Sequence, residues 1–223
     1  MWNNVIGSNH GVVWQVLHFR SNKDVVLLAQ FSTRLLHRLG MKSQPQRTIE
    51  ICILAGGLSQ RMGRDKSRLR LGHRTLLGHI RAEAGELGLP VRVIRRDAVP
   101  RCGPLGGVYT ALKSERADAV MFLACDMPFV SAALLRSVRR TFGCGRRGLF
   151  ARAHGRVGFP FVLGREAMTT VAKQIGQEEF SLNELARALK AKTMLMPPRW
   201  RTQLRNINTP DEWRRARRLW TRS

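Results

Sequence analysis

The chain has 223 residues, which gives room for one ordinary domain with an appendage and excludes two large ones. Apolar residues make up 43% and charged residues 24%, which excludes global disorder, and the longest apolar stretches, such as residues 119–125, fall short of the roughly 18–20 residues a membrane span needs. The charge is lopsided, with 39 Lys+Arg against 15 Asp+Glu for a net +24; because 32 of those bases are Arg spread along the whole length, with no interleaved aromatics, a compositional basic surface is preferred, a field attracting a polyanionic small substrate is the alternative, and a nucleic-acid interface comes last.

In chain order, residues 1–47 read as an N-terminal extension. Residues 1–11 mix polar residues and Gly without a period, 25–31 suit a short strand or helix, and 32–39 suit a weak amphipathic turn or two. The segment lacks the pattern of a secretory signal. Met41 offers a second natural start, so the extension is expected to be dispensable for chemistry and 48–223 to be the working domain. From Thr48 the pattern is regular. Ile49–Leu54 is a β-branched run ending in Gly56-Gly57, which predicts a buried strand entering a loop. Leu76, Leu77, Ile80, Ala84 and Leu87 recur at helical spacing. Val91–Ile94 predicts a second strand. Gly103-Pro104-Leu105-Gly106-Gly107 predicts a tight loop feeding a helix over 108–114. Ala119–Ala124 predicts a third strand, stopped by Asp126 and Pro128, and Ser131 caps a helix through Val138. Ser181 with Glu184, and Thr209 with Glu212, are capping boxes. Strands alternating with helices predict an α/β fold, a mostly parallel sheet with helices on both faces.

Ligands of open α/β sheets sit beyond the carboxyl ends of the strands, which directs attention to the segment after the first strand. It reads Leu54-Ala55-Gly56-Gly57-Leu58-Ser59-Gln60-Arg61-Met62-Gly63-Arg64-Asp65-Lys66. Paired glycines let backbone N–H groups approach phosphate oxygens, and Arg61 and Lys66 add positive charge. Five residues separate Gly57 from Gly63, which breaks the Walker A spacing, and no G-x-G-x-x-G is present. An ordinary Gly-rich turn is the alternative. Asp126, directly after a six-residue apolar run, sits where a Mg²⁺ carboxylate ligand would be placed, since Mg²⁺ takes one or two carboxylates plus substrate phosphates. A turn aspartate before Pro128 is the alternative. The four cysteines (Cys52, Cys102, Cys125, Cys144) show no C-x-x-C spacing and read as reduced thiols of a cytoplasmic protein.

The thirteen-residue string closely resembles the signature loop of the molybdenum cofactor guanylyltransferases, within the nucleotidyltransferases that share a glycosyltransferase-A-like, Rossmann-like three-layer sheet. Three further strings agree in order: Gly103-Pro104-Leu105-Gly106-Gly107, Cys125-Asp126-Met127-Pro128-Phe129 and Asn206-Ile207-Asn208-Thr209-Pro210. The resemblance covers residues 49 onward. It implies that Leu54, Ala55, Gly56, Gly57, Arg61 and Gly63 wrap the triphosphate of GTP, that Lys66 neutralises charge developing on it, and that Asp126 binds Mg²⁺. Asp97 resembles the family's nucleotide-associated aspartate, and a carboxylate can accept from both N1–H and the 2-amino group of guanine. Gly103 lies six positions beyond Asp97, with Val99-Pro100-Arg101-Cys102 intervening, and a surface residue ending a strand is the alternative. Asn206 and Asn208 are implied near the acceptor, molybdopterin or its molybdenum-loaded form, with a pre-helix turn as the alternative. Between Leu87 and Gly103 the family has a strand, a loop and a second short strand, where this chain has room for one strand.

The implied reaction is transfer of GMP from GTP to molybdopterin with release of pyrophosphate, the product passing to apo-molybdoenzymes. No general base is required, because a phosphate nucleophile is already ionised near neutral pH, and the six histidines carry no assigned role. Cytidylyl and sugar-phosphate nucleotidyltransferases would share the sheet and the metal. A non-catalytic cofactor-binding adaptor is a third reading, and a nucleic-acid binder a fourth.

Overall fold

The computed structural model describes residues 47–56, 68–114, 117–143 and 147–220, and the backbone of 6–9 and 12–15. The expectations for 25–31 and 32–39 lie outside the described residues. The chain divides into two compact units, Met1–Gln46 and Arg47–Ser223. In the first, β1 (Ile6–Asn9) and β2 (Val12–Gln15) form an antiparallel hairpin where the sequence suggested no period.

The second unit is built on a six-stranded sheet. Its strands are β3 (Ile49–Leu54), β6 (Val91–Ile94), β7 (Ala119–Ala124), β8 (Gly148–Ala153), β9 (Arg156–Gly164) and β10 (Lys192–Leu195), in the spatial order β10-β8-β9-β7-β3-β6. A separate two-stranded hairpin, β4 (Arg70–Leu71) and β5 (Arg74–Thr75), lies between β3 and β6 in the chain. In the six-stranded sheet only β9 runs against the others, pairing antiparallel with both β7 and β8. The carboxyl ends of β3, β6, β7 and β8 therefore share one edge.

The continuous apolar runs follow from burial on both faces. Successive side chains of a strand point to opposite sides, so Ile51 and Ile53 enter one core while Cys52 and Leu54 enter the other. The first core packs β7 residues Met121 and Leu123 against α1 (Leu76–Gly85) and, through Leu134, Leu135, Val138 and Phe142, against α3 (Ala132–Phe142). The second packs Val120, Phe122, Phe150 and Phe161 against α2 (Pro104–Lys113), α4 (Met168–Gly176) and α5 (Leu182–Ala188). Two helical layers thus sandwich the sheet, the α/β three-layer architecture expected. Phe150, Phe161 and Phe122 stack in series with centroids 4.8 and 5.0 Å apart, and each such buried side chain contributes about 1.5–3 kcal/mol.

A third, smaller cluster joins Leu71 of β4, Leu76, Ile207 and Ala216, with Phe129, Trp213 and Trp220 against it. It seats α7 (Pro210–Trp220), which follows the short helix α6 (Pro198–Arg201). Buried His79 stands beside this cluster, its Nε2 2.7 Å from the Leu71 carbonyl oxygen and its ring 4.4 Å from that of Trp220.

The helix expected over 108–114 begins four residues earlier. Gly103 precedes it at φ +54, a conformation open to glycine, and Pro104 occupies the first turn, where its missing N–H costs nothing. Only Gly103 of the Gly103–Gly107 string belongs to the loop.

Candidate active site

The described parts of four short strings meet at the carboxyl edge of the sheet, the first of them through Leu54, Ala55 and Gly56. The chain leaving β3 is fixed by its neighbours: the Ala55 N–H donates to the Ile94 carbonyl at 2.8 Å, and the Cys125 N–H donates to the Leu54 carbonyl at 3.1 Å. The ends of β6, β3 and β7 are thereby held side by side. Gly57, Arg61, Gly63 and Lys66 lie outside the described residues.

Asp97 is the best-defined member of this edge. A Cβ added at Gly56 would lie 3.1 Å from Asp97 Oδ1; at Gly106, 3.1 Å from Oδ2; at Gly107, 3.3 Å from Oδ1. Three glycines from two strings thus form a cradle around one carboxylate, and Gly106 is further required by the Val99 carbonyl, 2.6 Å from where its Cβ would stand. The turn is clamped to α2 because Thr110 Oγ1 accepts from the Ala98 N–H at 2.8 Å and donates to the Gly106 carbonyl at 2.7 Å. The sequence distance between Asp97 and Gly103 therefore does not separate the aspartate from the Gly-Pro-Leu string. Burial pushes the Asp97 carboxyl above the ordinary carboxylate value. Burial, and then the Asp97 charge, also raise the thiol of Cys102. One strand, β6, stands between α1 and α2 among the described residues, and it forms an edge of the sheet.

Asp126 sits two residues beyond β7, half-buried. Its carbonyl accepts the Ile207 N–H at 2.9 Å, which joins the Cys-Asp-Met-Pro string to Asn206-Ile207-Asn208. Ile207 is 1% exposed, and the asparagines flank this anchor, Asn206 exposed and Asn208 half-buried. The far side of the segment is fixed by the expected capping box: Glu212 Oε2 accepts from the Asn208 and Thr209 N–H groups at 2.7 and 2.9 Å, and Thr209 Oγ1 accepts from the Glu212 N–H at 3.2 Å. Among the described residues no three His, Cys, Asp or Glu converge on a metal position. A single carboxylate at the carboxyl edge of the sheet fits Mg²⁺, whose remaining positions substrate phosphates and water can fill, and does not fit a structural zinc site.

An open groove of about 680 Å³ lies beside Asn206, between the β8–β9 hairpin and the 201–206 segment. Arg156, Arg201, Arg205 and His154 line it together with Phe159 and Leu204. Sequence reasoning missed the three arginines. Among 32 of their kind only tertiary convergence distinguishes them. A smaller concavity of about 260 Å³ shares Arg205 and Asn206 and is lined further by Phe129 and α7.

The profile of the MobA-like NTP transferase domain matches residues 51–193, which include the Gly-rich loop, Asp97 and Asp126. The chain belongs to this family. It is 32% identical over 188 residues to a probable molybdenum cofactor guanylyltransferase of Opitutus terrae, covering 74% of this chain and 93% of that one. It is 30% identical to the molybdenum cofactor guanylyltransferase of Xanthomonas euvesicatoria, with 73% and 91% covered. Among solved structures, the molybdopterin-guanine dinucleotide biosynthesis protein A of Archaeoglobus fulgidus superposes with a TM-score of 0.61 at 18% identity, covering 78% of this chain and all of that one. The 2-C-methyl-D-erythritol 4-phosphate cytidylyltransferase of Thermus thermophilus gives 0.58 at 17%, with 78% and 99% covered. These two likenesses establish the nucleotidyltransferase fold. As a member of the MobA-like family the chain is a nucleotidyltransferase, and no described helix is long and apolar enough to cross a membrane.

Proposed function

We propose that this MobA-like protein transfers GMP from GTP to molybdopterin, the molybdenum cofactor precursor, and releases pyrophosphate. The observation that carries the choice of nucleotide is the Asp97 cradle: a carboxylate held by Gly56, Gly106 and Gly107 directly beside the loop that would take the phosphates. Guanine presents N1–H and the 2-amino group as adjacent donors, and a carboxylate accepts both. Adenine and cytosine lack that pair. The curated relatives named as guanylyltransferases support the same reading.

The chemistry is an in-line displacement. An acceptor phosphate oxygen forms a bond to the α-phosphorus of GTP while the bond from that phosphorus to the bridging oxygen breaks, and the electron pair leaves with pyrophosphate. Positioning and charge neutralisation carry such a step, and no covalent nucleophile is required. Asp126 would hold Mg²⁺, which when bound neutralises charge on the α- and β-phosphate oxygens. Leu54, Ala55, Gly56, Gly57 and Gly63 are assigned to the triphosphate, and Arg61 and Lys66 to the leaving pyrophosphate. Asn206 and Asn208, fixed through Ile207 against the Asp126 carbonyl, are assigned to the acceptor phosphate. Buried thiols at Cys52 and Cys102 suit a reducing compartment, so we place the reaction in the cytoplasm, with apo-molybdoenzymes receiving the product.

The test is pyrophosphate release by purified protein with molybdopterin, Mg²⁺ and each nucleotide in turn. GTP alone is expected to support turnover. Equal turnover with CTP would move the assignment to a cytidylyltransferase, whose fold the chain shares. In the same assay Asp126→Ala is expected to lower kcat by roughly 10³-fold or more without changing the thermal melt. Full activity in that variant would remove the metal assignment.

A further inference from the structure

The guanine cradle and the Asp126 edge leave the groove beside Asn206 unused. Its basic side comes from three separate places in the chain: Arg156 at the first position of β9, Arg201 at the end of α6, and Arg205 one residue before Asn206. With 39 bases against 15 acids, an arginine without a carboxylate partner is ordinary in this protein. What sets these three apart is their place, in one concavity that reaches Asn206. No Asp or Glu stands among the described lining residues, whereas exposed arginines elsewhere, such as Arg136 with Glu86 and Arg187 with Glu184, do find carboxylates. Arg201 Nε donates to the Met196 carbonyl at 3.3 Å, which anchors one nitrogen of its guanidinium and leaves the others for a ligand.

The rest of the lining is of a different kind. Phe159 and Leu204 add apolar surface to it. Such a concavity suits a flat heteroaromatic ring that carries anionic groups, and a volume of about 680 Å³ falls in the range of small-molecule sites. Arginine is the side chain best matched to phosphate and other oxyanions, through paired N–H donors in one plane. The described lining shares no residue with the Asp97 cradle, so a ligand here leaves the guanine position clear. The groove meets the reacting edge at Asn206, whose neighbour Ile207 is bonded to Asp126.

We propose that Arg156, Arg201 and Arg205 are the specificity-determining residues for the acceptor: they bind the anionic groups of a phosphorylated pterin in this groove and make no contact with the nucleotide. The identity of the acceptor rests on the guanylyltransferase reading. The groove's fit to a flat ring bearing anionic groups does not.

The experiment uses the full chain and four variants: Arg156→Gln, Arg201→Gln, Arg205→Gln, and Arg139→Gln on the exposed face of α3 as a control for loss of charge outside the groove. Two readouts are taken. The first is KM for molybdopterin and for GTP in pyrophosphate release. The second is direct titration of 6-hydroxymethylpterin phosphate, and of the unphosphorylated pterin, followed by pterin fluorescence. Each groove variant is expected to raise both molybdopterin KM and pterin phosphate Kd by about ten-fold, the scale of one charge-assisted hydrogen bond, with Arg139→Gln changing neither. Arg205→Lys, which keeps the charge, is expected to recover part of the loss in a chain whose melt is unchanged. Unchanged values in the groove variants, an equal loss in Arg139→Gln, or an equal rise in GTP KM would each overturn the proposal. If the natural chain turns over no nucleotide at all, the guanylyltransferase reading falls and the titration alone decides: pterin phosphate binding weakened by the three variants upholds the groove, and indifference to them ends it.

Discussion

At the scale of single residues, Asp97 sets two demands that can be read out separately. On the proposed reading its carboxylate must be ionised to accept from both guanine donors, and burial pushes its folded-state value up. The direction of the pH effect follows. Lowering the pH protonates Asp97 before an ordinary aspartate would take a proton, so GTP affinity is expected to fall earlier on acidification than an ordinary aspartate would make it. For the nucleotide-free chain the sign is opposite: a raised value means that the folded state holds its proton more tightly, and this group withdraws stability as pH rises through the window between the ordinary and the raised value. Asp97→Asn replaces one acceptor with an amide donor facing the guanine donors. The expected outcome is a loss of roughly 10²-fold in kcat/KM for GTP and a flattened acid limb, with little loss for ITP, which lacks the 2-amino group. A GTP-to-ITP preference that survives the substitution would remove Asp97 from base recognition.

At the scale of elements, what matters is how strand ends and helix starts are held together. The Asn206–Asn208 segment is suspended between the Asp126 carbonyl and the capping box of α7. Thr209→Ala removes the acceptor for the Glu212 N–H and is expected to cost about 1 kcal/mol in a denaturation measurement. It is also expected to raise acceptor KM by several-fold with GTP KM unchanged, because the cap and the asparagines form one turn. Thr209→Ser, which keeps the hydroxyl, should restore both, and a KM effect on GTP alone would place this segment on the nucleotide side. The same elements explain which parts of the fold the sequence disclosed. β7 was legible with its bounds because a strand buried between two helical layers reads as an unbroken apolar run, and β3 and β6 because their runs are each broken by one charge only, Glu50 and Arg92, which bond to each other at 2.7 Å. β9 was not, since Gly158 and Pro160 interrupt its run as a turn would, and β10 is exposed at three of its four positions. α2 starts earlier than its sequence pattern suggests because Gly106 and Gly107 read as turn glycines, whereas they are small so that Asp97 and Leu54 can approach a helix. Asp126 was legible as a residue type after a strand. The arginine groove was not, because its members are far apart in sequence and share no period.

At the scale of the whole molecule, the net charge of +24 predicts a field that concentrates both polyanionic substrates without contributing to the fold. Raising NaCl from about 50 to 300 mM should therefore raise KM for GTP and for the acceptor by roughly 3–10-fold while kcat stays flat, since charges more than about 8–10 Å from the ligand are screened over that range. Short-range contacts resist screening, and so a residual acceptor affinity should persist at high salt in the natural chain and be reduced in the groove variants. The unit Met1–Gln46 contributes little to this field. Five of the 39 bases, Arg20, Lys23, Arg34, Arg38 and Lys42, and one acid, Asp24, fall within it. The four strings that resemble the family all lie in Arg47–Ser223, which contains both helical layers and the sheet between them. A chain starting at Arg47 is therefore expected to keep kcat and both KM values within about two-fold, together with nearly the same salt slope. A loss of turnover with an unchanged melt would show that the first 46 residues supply part of the site, and a shallower salt slope would show that they carry more of the field than their charge implies.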